Sequence, residues 1–255
     1  MRRSAKAALG VAGLAALGYL GFCIGLYTRQ RKILYAPPPA SEDAAARTLP
    51  LRAHGPRVLV SVRERAGAEA IVYFGGNAED VTKNLPLFEA AFPKHALYLL
   101  HYRSYGGSEG DPTEADLYHD ALDLYDYARR HHRQVVVVGR SLGSGLAVRV
   151  ASVRRAARLV LVTPYDSIVG IAAGQYPWAP VSLLLKDRYE SFLYAPRVRA
   201  PTRIIRAEDD ALIPRESTEQ LFRRFAPGVA KMAVLPGDHS TVTSDPRYLP
   251  LFLAP

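Results

Sequence analysis

Residues 134–153 read QVVVVGRSLGSGLAVRVASV, and this stretch decides the fold class. The four valines at 135–138 are typical of a strand that is buried on both faces of a parallel sheet. A helical stretch begins directly after Ser141. Between the two lies Gly139-Arg140-Ser141-Leu142-Gly143, which fits G-x-S-x-G. In a strand–turn–helix context this motif holds the serine hydroxyl above the sheet, near a helix N-terminus that favours developing negative charge. We therefore predict that Ser141 is a nucleophile on a sharp turn.

Other chemistries for the same stretch are excluded by residue order. A phosphate-binding P-loop needs Gly-Lys followed by Ser or Thr, and that order is absent. The run GRSLGSG also lacks the glycine spacing of a dinucleotide site. A serine at the turn excludes hydrolases of this topology that use an aspartate nucleophile.

Outside this stretch the chain alternates short β-branched runs with longer helical ones. Strands are predicted at 58–62, 70–74, 96–101, 135–138, 159–162, 203–207 and 232–235, and helices at 78–91, 113–131, 142–153 and 216–225. The alternation indicates one doubly wound α/β domain, a mostly parallel central sheet with helices on both faces. The connection 164–200 carries its own apolar residues, which favours a short lid; extra helices packed on the sheet edge are the alternative.

The N-terminal segment predicts a membrane anchor. Residues 7–27 carry no charge, and about 20 helical residues cross a bilayer core of about 30 Å. A cleaved signal peptide is disfavoured because no small-x-small site follows the run, and a buried helix of the domain is disfavoured by the basic flanks. Three basic residues on each flank leave the orientation undecided. A single N-terminal anchor commonly leaves its domain extracytoplasmic.

The predicted organisation is therefore an anchor with basic flanks at 1–32, a linker and entry segment at 33–56, and a catalytic domain at 57–255 that includes the lid. The Pro- and Ala-rich run 36–46 is interpreted as a spacer that lifts the domain off the membrane. The lone cysteine, Cys23, excludes an intramolecular disulfide and a cysteine-based metal cluster.

The net charge of +9 does not indicate a nucleic-acid partner. Six of the 33 basic residues lie in residues 1–32, and the remainder of the chain has 27 basic against 24 acidic residues. No basic stripe or nucleic-acid-binding module is present. The expected partner is the lipid bilayer.

A serine nucleophile needs a base and an acid, which follow it in this topology as Asp or Glu and then His. Of seven histidines only His239 lies after the serine, in the loop PGDHS. The acid is expected in the segment AEDDALIP, with Asp210 as the first candidate, Asp209 as its competitor and Glu208 as a further alternative. An oxyanion is expected to be bound by the Leu142 N–H and by an N–H of Asn77 or Ala78 after the run FGG at 74–76.

The runs YFGGNAEDV (73–81) and HYRSYGGSEGDPTEADLYHDALDLYDY (101–127), together with VGRSLGSG, RAEDDALIP and PGDHS, resemble the Bem46-like α/β-hydrolases, which include the ABHD12/13/17-type enzymes. The resemblance covers nearly the whole chain, including the N-terminal apolar segment. It implies the α/β-hydrolase fold, a triad of Ser141, Asp210 and His239, and an oxyanion site at Asn77 and Leu142. Gly75 stands where the family usually has His, and Ser104 where it has Gly.

The expected reaction is acyl transfer to water from a carboxylic ester or thioester, on a lipid or an acylated protein. Gly76, Arg140 and Tyr165 are the predicted substrate-binding residues. No metal or cofactor is expected. A peptidase or amidase of the same fold, and a membrane-tethered binding protein without turnover, are the alternatives.

Overall fold

The computed structural model of the protein describes residues 2–39, 48–51, 55–67 and 69–254. Within these residues one sheet contains the strands β1 (Thr48–Pro50), β2 (Leu59–Arg63), β3 (Glu69–Phe74), β4 (Ala96–Leu100), β5 (Gln134–Arg140), β6 (Arg158–Val162), β7 (Thr202–Ala207) and β8 (Ala230–Leu235). Their order is β1-β2-β4-β3-β5-β6-β7-β8. The pairs β1–β2 and β2–β4 are antiparallel and the other pairs are parallel. The predicted mostly parallel sheet is confirmed.

The α-helices of the same residues are α1 (Arg2–Leu34), α2 (Leu85–Ala91), α3 (Glu114–His131), α4 (Leu142–Val153), α5 (Ile168–Gln175), α6 (Val181–Leu184), α7 (Ser191–Tyr194) and α8 (Arg215–Arg224). Short 3₁₀ turns occur at Val81–Asn84, Ala195–Arg197, Thr241–Ser244 and Pro250–Phe252. Helices α5, α6 and α7 lie within the predicted lid segment.

The sheet is covered on both faces, and the valine run of β5 contributes to both. Val135 and Val137 lie in the core cluster that includes side chains of α3 and α4. Val136 and Val138 lie in the opposite cluster, with side chains of α2 and of the C-terminal turn. Successive side chains of a strand point to opposite faces, so four consecutive valines fill two cores.

Two local features differ from the sequence prediction. β1 is an edge strand of three residues within the predicted linker segment, and it has no apolar run that would reveal it. The helix predicted from residue 78 begins later, as a 3₁₀ turn at Val81 that is capped when the Asp80 side chain accepts the Thr82 N–H. Ala78 has φ +58°, which a right-handed helix does not allow.

Among the described residues, helix α1 contains the candidate membrane span Leu9–Leu34, in which a window of 18 residues has a mean hydropathy of 2.0. The chain reaches the domain at once after this helix, because Tyr35 is buried and its hydroxyl lies 2.9 Å from the Tyr189 hydroxyl. The predicted spacer at 36–46 therefore begins at the domain surface, and its residues 40–46 lie outside the described residues.

Candidate active site

Ser141 lies on the turn between β5 and α4 in a strained backbone conformation. Its φ of 48° and ψ of −118° are outside the regions that a side chain normally allows. The flanking glycines explain why the turn can form. A Cβ on Gly139 would lie 2.6 Å from the Cβ of Ala147, and one on Gly143 would overlap the Phe74 carbonyl oxygen. The motif G-x-S-x-G is therefore a steric requirement of this turn.

His239 reaches Ser141 from the loop after β8. Its Nε2 lies 2.9 Å from Ser141 Oγ, and its Nδ1 lies 2.8 Å from Asp210 Oδ2. The Asp238 carboxylate shapes this loop by accepting the backbone N–H groups of Ser240 and Thr241, each at 2.8 Å. Asp238 therefore stabilises the loop, and His239 faces Ser141.

Asp210 follows β7 and is fixed at both carboxylate oxygens. Oδ1 accepts the backbone N–H groups of Leu212 at 3.0 Å and Ile213 at 2.9 Å, while Oδ2 faces His239. Burial acts to raise the pKa of Asp210, but the His239 ring and these two N–H groups outweigh burial, so the pKa lies below its ordinary value. Asp210 therefore faces the imidazole as a carboxylate.

The structure distinguishes Asp210 from its neighbours in the sequence. Only 4% of the Asp210 side chain is exposed, whereas Asp209 and Glu208 are both exposed. Ser141, His239 and Asp210 come together although they lie on three separate loops.

The 74–78 loop, which follows β3, packs directly against the serine turn. The Gly143 N–H donates to the Gly75 carbonyl at 3.1 Å. A Cβ placed on Gly76 would lie 3.5 Å from the Cβ of Ser141. Among the described residues, no hydrogen-bond acceptor faces the backbone N–H of Asn77 or of Leu142. Leu142 follows Ser141 directly in the chain, and Asn77 follows Gly76, which packs against Ser141.

The segment after β4 supports this loop through two tyrosines. The Tyr102 hydroxyl donates to the Gly75 carbonyl at 2.7 Å, and the Tyr105 hydroxyl donates to Asn77 Oδ1 at 2.8 Å. Ser104 lies between them with φ +63°, a conformation that the glycine expected from the family resemblance adopts at lower cost.

An ion pair that the sequence analysis missed joins the loops of the site. Arg140 Nη1 donates to Glu79 Oε2 at 2.8 Å, and Arg140 Nη2 donates to the His239 carbonyl at 3.2 Å. The same Glu79 oxygen accepts the Gly76 N–H at 2.5 Å. Glu79 Oε1 accepts from the Tyr73 hydroxyl and from Asn84 Nδ2, each at 2.6 Å. The Glu79 carboxylate, whose side chain is 12% exposed, thus connects the 74–78 loop to the serine turn and, through Arg140, to the histidine loop.

This arrangement corrects two of the predicted substrate contacts. Arg140 is occupied by Glu79 and the His239 carbonyl, so its guanidinium holds the site together. Tyr165 is fully buried, and its hydroxyl donates to the Leu142 carbonyl at 3.0 Å. Its role is packing beneath α4. Gly76, the third predicted contact, lies against Ser141 as described above.

Among the described residues, no group of three or more His, Cys, Asp or Glu side chains is arranged to hold a metal ion. The residues gathered at Ser141 provide a hydroxyl, an imidazole and a carboxylate, which are the groups that nucleophilic acyl transfer uses.

Comparison with known proteins identifies the family, although no family model matches the chain. The uncharacterized protein Rv2307c of Mycobacterium tuberculosis is 30% identical over 251 residues, which cover 90% of this chain and 87% of that protein. Protein bem46 of Schizosaccharomyces pombe is 24% identical and covers 82% of this chain and 80% of its own length. The lysophosphatidylserine lipase ABHD12 of Xenopus tropicalis is 28% identical over 49% of this chain and 38% of its own length.

Among solved structures, a hydrolase from Pseudomonas aeruginosa superposes with a TM-score of 0.64 at 16% identity. The superposition covers 84% of this chain and all of that one, which supports the fold alone. The family assignment rests on the sequence relatives named above. The chain belongs to the Bem46/ABHD-like family of α/β-hydrolases.

Proposed function

We propose that the protein is a membrane-anchored serine hydrolase that cleaves carboxylic esters or thioesters through an acyl-enzyme on Ser141. The observation that carries the proposal is the unbroken hydrogen-bonded chain from the Ser141 hydroxyl through the His239 ring to the Asp210 carboxylate, with contacts of 2.9 and 2.8 Å. A serine needs such a base to attack at neutral pH, and the base needs a group that fixes its orientation.

In the first half of the reaction, Ser141 Oγ bonds to the substrate carbonyl carbon while its proton moves to His239 Nε2. The N–H groups of Leu142 and Asn77 stabilise the oxyanion, and Asp210 stabilises the imidazolium. The bond from carbon to the leaving oxygen or sulfur then breaks, and His239 returns the proton to the leaving group. In the second half, a water oxygen bonds to the acyl carbon while one of its protons moves to His239. The bond from that carbon to Ser141 Oγ then breaks, His239 gives the proton to Oγ, and the carboxylic acid leaves.

The proposed substrate class is a lipid or an acylated protein. Helix α1 has the length and hydropathy of a membrane span, and a relative that matches half of this chain is named a lysophosphatidylserine lipase. We propose that α1 is retained in the mature protein as a single-pass anchor, with the domain on the extracytoplasmic side. The intact mass of the membrane-extracted protein tests retention, and digestion by protease added to intact cells tests the side.

Fluorophosphonate labelling tests the proposed activity. The detergent-solubilised wild type is expected to become covalently labelled, while Ser141→Ala and His239→Ala are not. Ser152→Ala is the matched control. Ser152 lies in the last turn of α4, the helix that begins after Ser141, and its hydroxyl donates to the Arg149 carbonyl. Esters, thioesters and amides of one acyl group then separate an esterase from a peptidase. Folded wild type that stays unlabelled would refute the proposal and favour a binding protein without turnover.

A further inference from the structure

An apolar cavity of about 260 Å³ lies between the end of α1 and the helices α5 and α6. Helix α1 forms one wall with residues of three successive turns that share one face: Leu26, Tyr27, Gln30, Ile33 and Leu34. Isoleucines, leucines and a valine of the lid segment form most of the opposite wall. None of the fifteen described residues that line the cavity is charged.

One end of this cavity is Asn77, in the loop beside the nucleophile. Asn77 follows Gly76, which packs against Ser141. The Asn77 side chain also accepts the Ala36 backbone N–H at 2.9 Å, two residues after α1 ends. The cavity therefore extends from the 74–78 loop, which packs beside Ser141, along the last turns of α1.

Helix α1 is held against the lid by specific polar contacts. Arg31 donates twice to the Asp187 carboxylate, at 2.8 and 3.3 Å, and the Asp187 side chain is only 6% exposed. Gln30 donates to the Leu184 carbonyl at 3.0 Å and accepts the Lys186 N–H at 2.6 Å. Such pairing is directional, so this end of α1 is a fixed wall of the cavity.

The outer end of the cavity lies at the level where a membrane would end. The candidate span of 26 residues, at about 1.5 Å per residue, is about 39 Å long and exceeds a hydrocarbon core of about 30 Å by roughly six residues. Those last six residues include Arg29, Arg31 and Lys32. Leu26 therefore lies near the edge of the hydrocarbon.

The lid also presents aromatic and apolar side chains beside the turns of α1 that precede Leu26. Phe22 and Trp178 contact each other with ring centroids 4.8 Å apart, and the Tyr19 hydroxyl donates to the Trp178 carbonyl at 2.8 Å. Half of Trp178 and 84% of Leu183 are exposed. Tryptophan and tyrosine side chains favour the membrane interface.

We propose that this cavity binds the hydrocarbon chain of the ester or thioester substrate, that the chain enters it from the bilayer alongside α1, and that the anchor helix is thereby one wall of the substrate site. The inference rests on the proposed function and adds the substrate class, a single-chain amphiphile. A volume of about 260 Å³ lies below the roughly 300–1,000 Å³ of pockets for larger ligands, so the cavity suits one chain rather than two.

Photocrosslinking tests the chain site without turnover. Full-length Ser141→Ala in lipid nanodiscs is irradiated with a hexadecanoyl monoacylglycerol that carries a diazirine near the end of its chain. Label is expected on residues 26–34 and 168–185, and an excess of unmodified monoacylglycerol should reduce it at least fivefold. Label confined to residues 9–20, or label that the unmodified lipid does not reduce, would overturn the chain site.

Chain-length selectivity tests the wall that α1 provides. Leu26→Trp fills the cavity, and Ile24→Trp adds the same side chain at a position that does not line it and is 55% exposed. The ratio of kcat/KM for p-nitrophenyl dodecanoate to that for the butanoate should fall at least tenfold in Leu26→Trp and less than twofold in Ile24→Trp. Equal ratios in the two variants would overturn the proposal.

The two proposals fail in different ways. Labelling of both variants by a short-chain fluorophosphonate shows that each is folded and active. An unchanged ratio of kcat/KM between the long and the short ester then contradicts the chain site but not the hydrolase activity. Absence of fluorophosphonate labelling in the wild type, together with competed crosslinking, would refute the hydrolase and support the chain site.

Discussion

Arg140 allows the strongest test of how the site is held together. The side chains of Arg140 and Glu79 are only 15% and 12% exposed, and they lie 2.8 Å apart. Removing one partner of a buried ion pair costs about 3–5 kcal/mol, because the other charge loses its partner. Glu79 keeps three further donors, so Arg140→Met is expected at the low end, near 3 kcal/mol of unfolding free energy. Chemical denaturation of the detergent-solubilised protein measures it.

Arg140→Lys separates the charge of this residue from its geometry. Lysine keeps a positive charge near Glu79, but one ammonium group does not reproduce the fork that reaches both Glu79 and the His239 carbonyl. A hydrogen bond from a charged donor contributes roughly 1.5–3 kcal/mol, and about 1.4 kcal/mol corresponds to a tenfold change in rate. If this bond orients His239, the rate of fluorophosphonate labelling should fall about tenfold or more, with a smaller loss of stability than in Arg140→Met.

Arg154→Lys is the matched control. Arg154 forms a similar two-pronged pair with Asp126, at 2.7 and 2.8 Å, but contacts no residue of the site. Its substitution should leave the labelling rate within twofold of wild type. Wild-type labelling by Arg140→Lys would refute the argument that Arg140 positions the histidine loop. A loss no larger than the loss of folded protein would refute it equally.

Three further predictions follow from single contacts. Gly143→Ala should fail to give folded protein or should lower the melting temperature sharply, because its Cβ would overlap the Phe74 carbonyl; thermal unfolding measures this, and an unchanged melting curve would contradict the steric argument. Asp210→Asn should lower the labelling rate by on the order of 10³–10⁴-fold, whereas Asp209→Asn, the exposed neighbour, should label normally. Burial lowers the pKa of His101 from 6.5 to about 4, so between these pH values the unfolded chain binds a proton that the folded chain does not. About 3 kcal/mol of folding stability, fully present above pH 6.5, should therefore be lost as the pH falls toward 4. Denaturation curves at pH 7, 5.5 and 4 measure this loss, which should be smaller in His101→Asn.

Much of this protein follows from local sequence. The run from Val135 to Gly143 predicts its own local structure. The valines favour a strand that is covered on two faces, and the glycines on either side of Ser141 allow a turn that a Cβ would block. His239 follows from chain order, since it is the one histidine after the serine. These features can be predicted because the hydrophobic period, the steric limits of a turn and the order of residues are all given by the sequence itself.

The sequence and the family resemblance favoured Asp210 over its neighbour Asp209, and the tertiary structure gives the two residues different surroundings. Both follow β7, but Asp210 lies 2.8 Å from the His239 ring while Asp209 is exposed. The edge strand β1 has three residues and no pattern of its own.

Ion pairs between residues that are far apart along the chain cannot be predicted from local sequence patterns. Glu79 and Arg140 are 61 residues apart, and Arg31 and Asp187 are 156 apart. The sequence determined the strands of the sheet, the sharp turn at Ser141 and the apolar first helix, because each depends on residues that are close together along the chain. The tertiary structure alone decided which ion pair joins the loops of the site and that the first helix packs against α5 and α6 as a wall of the cavity, because charge pairing and close packing act between residues that only the folded chain brings together.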